Sequence, residues 1–279
     1  MHPLTTSPAH GRTWSDLDDF QAFIDDGGMV EPGDEMPDEY RQEVFRFIEF
    51  HAHLLYMVGA DMGVKTRTAM LEDLFAGRSR FHNVFHYQAV TWADQVAIAY
   101  LVDAAAFASQ RAVFAECTYG PYKRVLKRIV AEEGFHMRHG EEMLLRLATG
   151  TDVQRAMFQA SLDRWWWPAV QLFGPDSDPS DPLLAWKIKS QPNEVLRDAY
   201  VQKYVPLLQS YGFRIPDDGL HQADNGQWRT SPIDWAPLKA TMRNGGPDSR
   251  RRIETARRNW SDTAWARDAL ERATDGAAQ

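Results

Sequence analysis

Two stretches decide the fold: residues 91–117, TWADQVAIAYLVDAAAFASQRAVFAEC, and residues 119–147, YGPYKRVLKRIVAEEGFHMRHGEEMLLRL. The first is alanine-rich, free of Gly and Pro, and apolar on more than one face, which predicts a long helix buried nearly all round. Tyr119-Gly120-Pro121 interrupts it, and Tyr122–Leu147 predicts a second long helix ending near Gly150. A turn centred on Gly120 makes the two helices antiparallel neighbours and sets residue 103 opposite residue 137. Asp103 therefore faces Glu133-Gly134-Phe135-His136, an E-x-x-H whose two side chains leave the same helix face.

Asp103 stands in the otherwise apolar run LVDAAA (101–106). A carboxylate there must be paired, protonated or bound to a cation, because an unpaired buried charge is costly. A carboxylate facing E-x-x-H on the antiparallel neighbour forms half of the di-iron carboxylate site of ferritin-like bundles. Asp103, Glu133 and His136 are the candidate metal ligands and catalytic residues. The rival reading pairs Asp103 with Arg138 or Lys127 and leaves His136 as a hydrogen-bonded core histidine.

Outward from this pair, Pro37 suits a helix start, and Val44, Phe47, Ile48, Leu54, Leu55 and Val58 recur with helical spacing up to Gly59. Further helices are expected over 66–75, over 151–173 with a break at Pro168, and over 192–211 with strain or a fresh start at Pro206. A turn-rich connector, GPDSDPSDP, spans 174–182. Residues 212–248 are loop-rich, with a short hairpin expected around Asp224-Asn225-Gly226. A basic amphipathic helix is expected over 248–274. The fold class is all-α: a ferritin-like helical bundle over 37–211, preceded by a polar segment (1–36) and followed by a loop-rich extension (212–279).

The 279 residues carry a net charge of -8. That sign repels phosphate backbones and acidic membranes, so nucleic acid and membrane are not expected partners. Cys117 is the single cysteine, excluding an internal disulfide. Neither a signal peptide nor an apolar run near 20 residues stands out, so a cytoplasmic location is expected.

A complete di-iron site needs a second E-x-x-H, and the sequence holds none. Glu49 and His53 share a helix face and could together bind a metal, with His51 pointing elsewhere; a solvated or hydrogen-bonded role suits the HAH run better. His82 and His86 lie near a loop and are set aside. Trp165-Trp166-Trp167 reads as packing or as the wall of an aromatic pocket. Lys187 and Lys189 read as a solvated helix face or as phosphate ligands. The basic run Arg250, Arg251, Arg252, Arg257 and Arg258, with Trp260 and Trp265 among acids, reads as a docking or solvated helix. No dinucleotide fingerprint is present, so any NADPH chemistry lies on a partner.

Taken in order, MPDEYR (36–41), HAH (51–53), TWAD (91–94), LVDAAA (101–106), YGPY (119–122), EEGFHMRHG (132–140), RWWWP (164–168), FGPD (173–176), WKIK (186–189), DW (234–235) and NGGP (244–247) resemble one family. It is that of the catalytic A subunits of ring-1,2-phenylacetyl-CoA epoxidase, bacterial multicomponent di-iron monooxygenases. The resemblance implies a ferritin-like bundle that epoxidises an aryl-acyl-CoA with O2, a structural sister subunit of similar fold, and an electron-transfer reductase that uses NADPH. It places Asp103, Glu133 and His136 at the family's second-half ligand positions. The first half departs: the chain passes from HAHLLYM to VGADMG, Leu55 stands where the family has a glutamate, and about a helix and a turn are missing. The implied cofactor is iron, a pair in the family and one or none here. The second reading of function is a non-catalytic scaffold subunit of the same kind of complex.

Overall fold

The computed structural model describes residues 11–49, 69, 72, 73, 76, 78 and 82–276. Helix α1 (Leu17–Asp25) starts where the Asp16 side chain accepts from Asp19 N–H, and α2 (Asp38–Glu49) starts one residue after Pro37, as the sequence predicts. The continuation of that helix beyond Glu49 and most of the helix expected over 66–75 lie outside the described residues.

Helix α3 (Trp92–Glu116) opens with a capping box in which Thr91 and Asp94 satisfy each other's backbone N–H groups. Its turn Ile98–Val102 is π-helical, and regular α-helix resumes at Asp103. Helix α4 (Gly120–Ala148) carries Pro121 in its first turn. Helix α5 (Asp152–Gln171) opens with the reciprocal cap Thr151/Gln154, and α6 is Asn193–Ser210.

The breaks expected at Pro168 and Pro206 do not occur: both prolines sit inside continuous helices. Each removes one backbone donor. Burial of Trp166, Ala169 and Val170 around Pro168, and of Val205 and Leu208 around Pro206, holds the chain helical through the gap. The expected hairpin is present, with β1 (His221–Gln222) antiparallel to β2 (Trp228–Arg229) and Gly226 at φ 78 in the turn. The expected C-terminal helix is two helices, α7 (Ser249–Asp262) and α8 (Ala264–Gly276). The Thr263 hydroxyl between them donates to the Asn259 and Trp260 carbonyls, a local bond that ends α7.

The main core lies where α3, α4, α5 and α6 meet, around Leu101, Leu144, Leu162, Trp166 and Tyr204. A second cluster joins α1 and α2 to the α3–α4 turn. There the polar N-terminal segment buries Phe20, Ile24 and Val30. Val30 N–H donates to Thr118 C=O at 2.7 Å, and Gly120 N–H to Val30 C=O at 2.9 Å. Arg124 grips Glu31 through two bonds of 2.7 and 2.8 Å. The N-terminal segment thus clamps the turn that sets the register of α3 against α4.

One sequence expectation needs correcting. By length and hydropathy α3 is apolar enough to cross a membrane, and 56% of its most apolar window is buried inside the protein. Ala93, Ala97, Ala104, Ala105 and Ala112 are buried inside the protein, which accounts for much of that composition.

Candidate metal centre

Thirteen residues of regular helix follow Asp103 in α3, and sixteen precede His136 in α4. Comparable rises on the two sides of the turn bring residues 103 and 136 level, as the count from Gly120 predicts. Asp103 Oδ2 stands 3.7 Å from His136 Nδ1, and Glu133 Oε2 stands 3.3 Å from the same nitrogen. One ligand atom from each of the three residues falls within 4.8 Å of the others. The alternative pairing of Asp103 with Arg138 or Lys127 is not what the structure shows. Among the described residues, His136 is the basic side chain that stands within 4 Å of both carboxylates.

The site is less buried than the apolar sequence around Asp103 suggests. The Asp103 and Glu133 side chains keep 24% and 18% of their surface, but His136 keeps 59%. The cluster therefore lies in a shallow, solvent-reached position on the α3–α4 seam, with the carboxylates as its floor. Burial, with Glu133 next, pushes the Asp103 carboxyl up to about 7 against the pull of His136. Burial likewise raises Glu133, opposed by its contact with His136. Two inward carboxylates that resist ionising together form a receptor for positive charge.

The donors fit one hard divalent ion. Ligand atoms about 2.1 Å from a metal stand about 3–4 Å apart, and the separations of 3.3 and 3.7 Å already lie in that range. Two oxygens and one imidazole suit iron or a similar first-row ion. The π-helical turn directly before Asp103 is a feature that recurs at functional sites in helices.

Other singled-out residues go elsewhere. Glu49 ends α2, while its side chain, His51, His53 and Leu55 lie outside the described residues. His86 is buried with Nδ1 2.6 Å from Ser249 Oγ, tying the 3-10 turn Asn83–His86 to α7. Trp165 and Trp166 are core, and Trp167 donates to Pro216 C=O, so the tryptophan run is packing. Neither lysine sits on a solvated helix face. Lys187 donates to the Ile24 and Asp25 carbonyls, and Lys189 is buried against Asp181 Oδ2 at 2.8 Å, Ser177 and Asn193. Lys189 is an internal tie, while Lys187 is a partly exposed one. The basic run stays on the surface: Arg250 pairs with Glu254, and Arg252 covers Phe85.

Sequence reasoning missed Asp94. It is fully buried and accepts from Val90 N–H, Thr91 N–H and Arg164 at 2.7, 2.8 and 2.6 Å, and from Trp165 Nε1 at 3.1 Å. Burial opposes its ionisation, but the bonds from Thr91, Arg164 and Val90 prevail and hold the carboxyl below its usual range. The T-x-x-D spacing at 91–94 is the signal that exposes it, as a cap.

A family model described as "Phenylacetic acid catabolic protein" matches residues 51–265. The chain is 32% identical over 290 aligned residues to the A subunit of 1,2-phenylacetyl-CoA epoxidase from Escherichia coli (strain K12). The match covers 90% of this chain and 94% of that protein. About 250 residues here (90% of 279) are thus set against 290 positions, so about 40 of those positions have no counterpart in this chain. On the extent of both matches, the chain belongs to the phenylacetic acid catabolic protein family.

Proposed function

We propose that this chain is an oxygenase subunit of a phenylacetyl-CoA epoxidase-type monooxygenase in aerobic phenylacetate degradation, acting on the aromatic ring of an aryl-acyl-CoA. The observation that carries this reading is the convergence of Asp103, Glu133 and His136 within 4.8 Å in a member of that family. Bound iron would supply O2 activation. The chain's own part is to hold that ion: Asp103 and Glu133 offer anionic oxygens, His136 a neutral nitrogen, and the α3–α4 seam fixes their spacing. In this reading the protein works in the cytoplasm, beside an NADPH-dependent reductase that delivers electrons and a structural sister subunit. The domain reading goes with it: a ferritin-like unit over 37–211 carries the site, and the flanking segments brace it.

A scaffold role is the second reading, favoured by the missing first-half E-x-x-H. The intact Asp103, Glu133 and His136 weigh against it, since a site no longer used has no reason to keep two carboxylates of raised pKa facing each other. The test is to purify the chain with its reductase and its sister subunit, then to measure oxygen uptake on adding phenylacetyl-CoA. Uptake that needs the thioester and disappears in His136→Ala supports the oxygenase. Uptake unchanged by that substitution, or none with iron loaded, leaves the scaffold.

A further inference from the structure

Among the described residues, the site's donor set does not match the pair of ions that the family implies. Each ion of a di-iron carboxylate bundle draws on its own E-x-x-H, and carboxylates supply the charge that two dications require. Here E-x-x-H occurs once in the whole sequence, at 133–136. Among the described residues, Asp103, Glu133 and His136 form the cluster able to hold a metal ion. Glu132, the next carboxylate on α4, points away and pairs with Arg128 at 2.8 Å. The two carboxylates that the described residues bring to the site balance one dication and leave a second uncompensated, on a seam where His136 is already open to water.

We infer that this chain holds a single metal ion, in a one-histidine, two-carboxylate site formed by Asp103, Glu133 and His136, rather than a coupled pair. The inference rests on the oxygenase reading for its choice of iron, but not on turnover. A lone ion with three protein ligands keeps open positions for water or exogenous ligands. It has no neighbour to couple with magnetically, and its occupancy depends on each of the three side chains.

The experiment uses the full chain in complex with its sister subunit, loaded anaerobically with Fe(II) alone. Iron per chain is measured by elemental analysis, and the air-oxidised sample by EPR and Mössbauer spectroscopy. The expected result is close to one iron per chain, with the EPR signal of an isolated high-spin ferric ion. Asp103→Asn, Glu133→Gln and His136→Ala should each lower iron affinity at least tenfold, with unchanged helical circular dichroism, while Glu132→Gln leaves it unchanged. Two irons per chain in an EPR-silent, antiferromagnetically coupled state would overturn the inference, as would iron retention in the His136 variant or no iron at all. The thioester-dependent oxygen uptake described above is scored separately. One uncoupled iron without uptake defeats the oxygenase reading alone, and a coupled pair with uptake defeats this inference alone.

Discussion

Asp103 Oδ2 stands 3.7 Å from His136 Nδ1 across two helices joined by a single tight turn, with Glu133 on the same imidazole nitrogen at 3.3 Å. The arrangement has a consequence for the metal-free protein. Burial and Glu133 push folded Asp103 up to about 7 from an ordinary value of 3.8. The folded state thus keeps a proton that the unfolded chain releases, so stability falls as pH rises from about 4 to about 7 and levels off above. The loss is a few kcal/mol at most, at about 1.4 kcal/mol for each tenfold change in proton affinity. Urea unfolding of the metal-free protein across this window should show the decline. It should be reduced in Asp103→Asn, and in Glu133→Gln because Glu133 is the like charge. Identical pH profiles for wild type and Asp103→Asn would refute the assignment.

Asp94 and Arg164 tie the start of α3 to α5. Replacing Asp94 by Ala strands a partly buried guanidinium, the Trp165 N–H and two backbone donors at once. Loss of one partner from a buried pair costs about 3–5 kcal/mol. Arg164→Met should cost less, since Asp94 keeps its bonds from Val90 N–H, Thr91 N–H and Trp165 Nε1. Denaturant melts should rank Asp94→Ala well below Arg164→Met; a loss under about 1 kcal/mol for Asp94→Ala would mean water replaces these bonds.

The convergence of Asp103, Glu133 and His136 was legible in the sequence because two periodicities suffice to build it. E-x-x-H needs only the helical repeat, and Asp103 needs only a turn whose centre, Gly120, is marked by glycine and proline. The π-helical turn at Ile98–Val102 shifts the phase of α3, but it lies on the far side of Asp103 from the turn, so the count to His136 is undisturbed. What depends on tertiary contact was not legible. Lys189 looks like a surface residue until Asp181, Ser177 and Asn193 close round it. Pro168 looks like a break until the core holds the chain straight. The openness of His136 is likewise a property of its neighbours and not of α4.

Gly140 and Gly134 make a matched pair on α4. A Cβ on Gly140 would lie 2.8 Å from the Ala99 carbonyl carbon and oxygen and 2.9 Å from Tyr100 N, all backbone atoms of α3 that cannot swing aside. A Cβ on Gly134 meets nothing within 4 Å among the described residues. Gly140→Ala should therefore push α3 from α4, cost about 1–3 kcal/mol, and weaken metal binding by moving Asp103 relative to His136. Gly134→Ala should stabilise α4 by up to about 1 kcal/mol and leave metal binding intact, although it lies beside Glu133. Melting curves and Fe(II) titrations of both variants check this. Equal effects of the two substitutions would show that close helix approach does not set the site.

Cys117 ends α3 beneath the N-terminal clamp, fully buried among Val30, Tyr119 and Tyr122. Burial pushes its thiol up to about 12, opposed by a hydrogen bond with the Tyr119 backbone and the charge of Lys123. The thiolate is the reactive form, so the native protein should resist a disulfide reagent at mildly alkaline pH for as long as the clamp stays closed. One thiol per chain should react at once in denaturant, since the sequence has a single cysteine. At intermediate denaturant the labelling rate should follow the opening of this cluster. Breaking the Arg124–Glu31 grip with Glu31→Gln should speed labelling while leaving the circular dichroism unchanged, because that pair holds the segment that covers the sulfur. Fast labelling of the untreated wild type would mean that the N-terminal segment leaves the α3–α4 turn readily, and the turn would then need another source for its register.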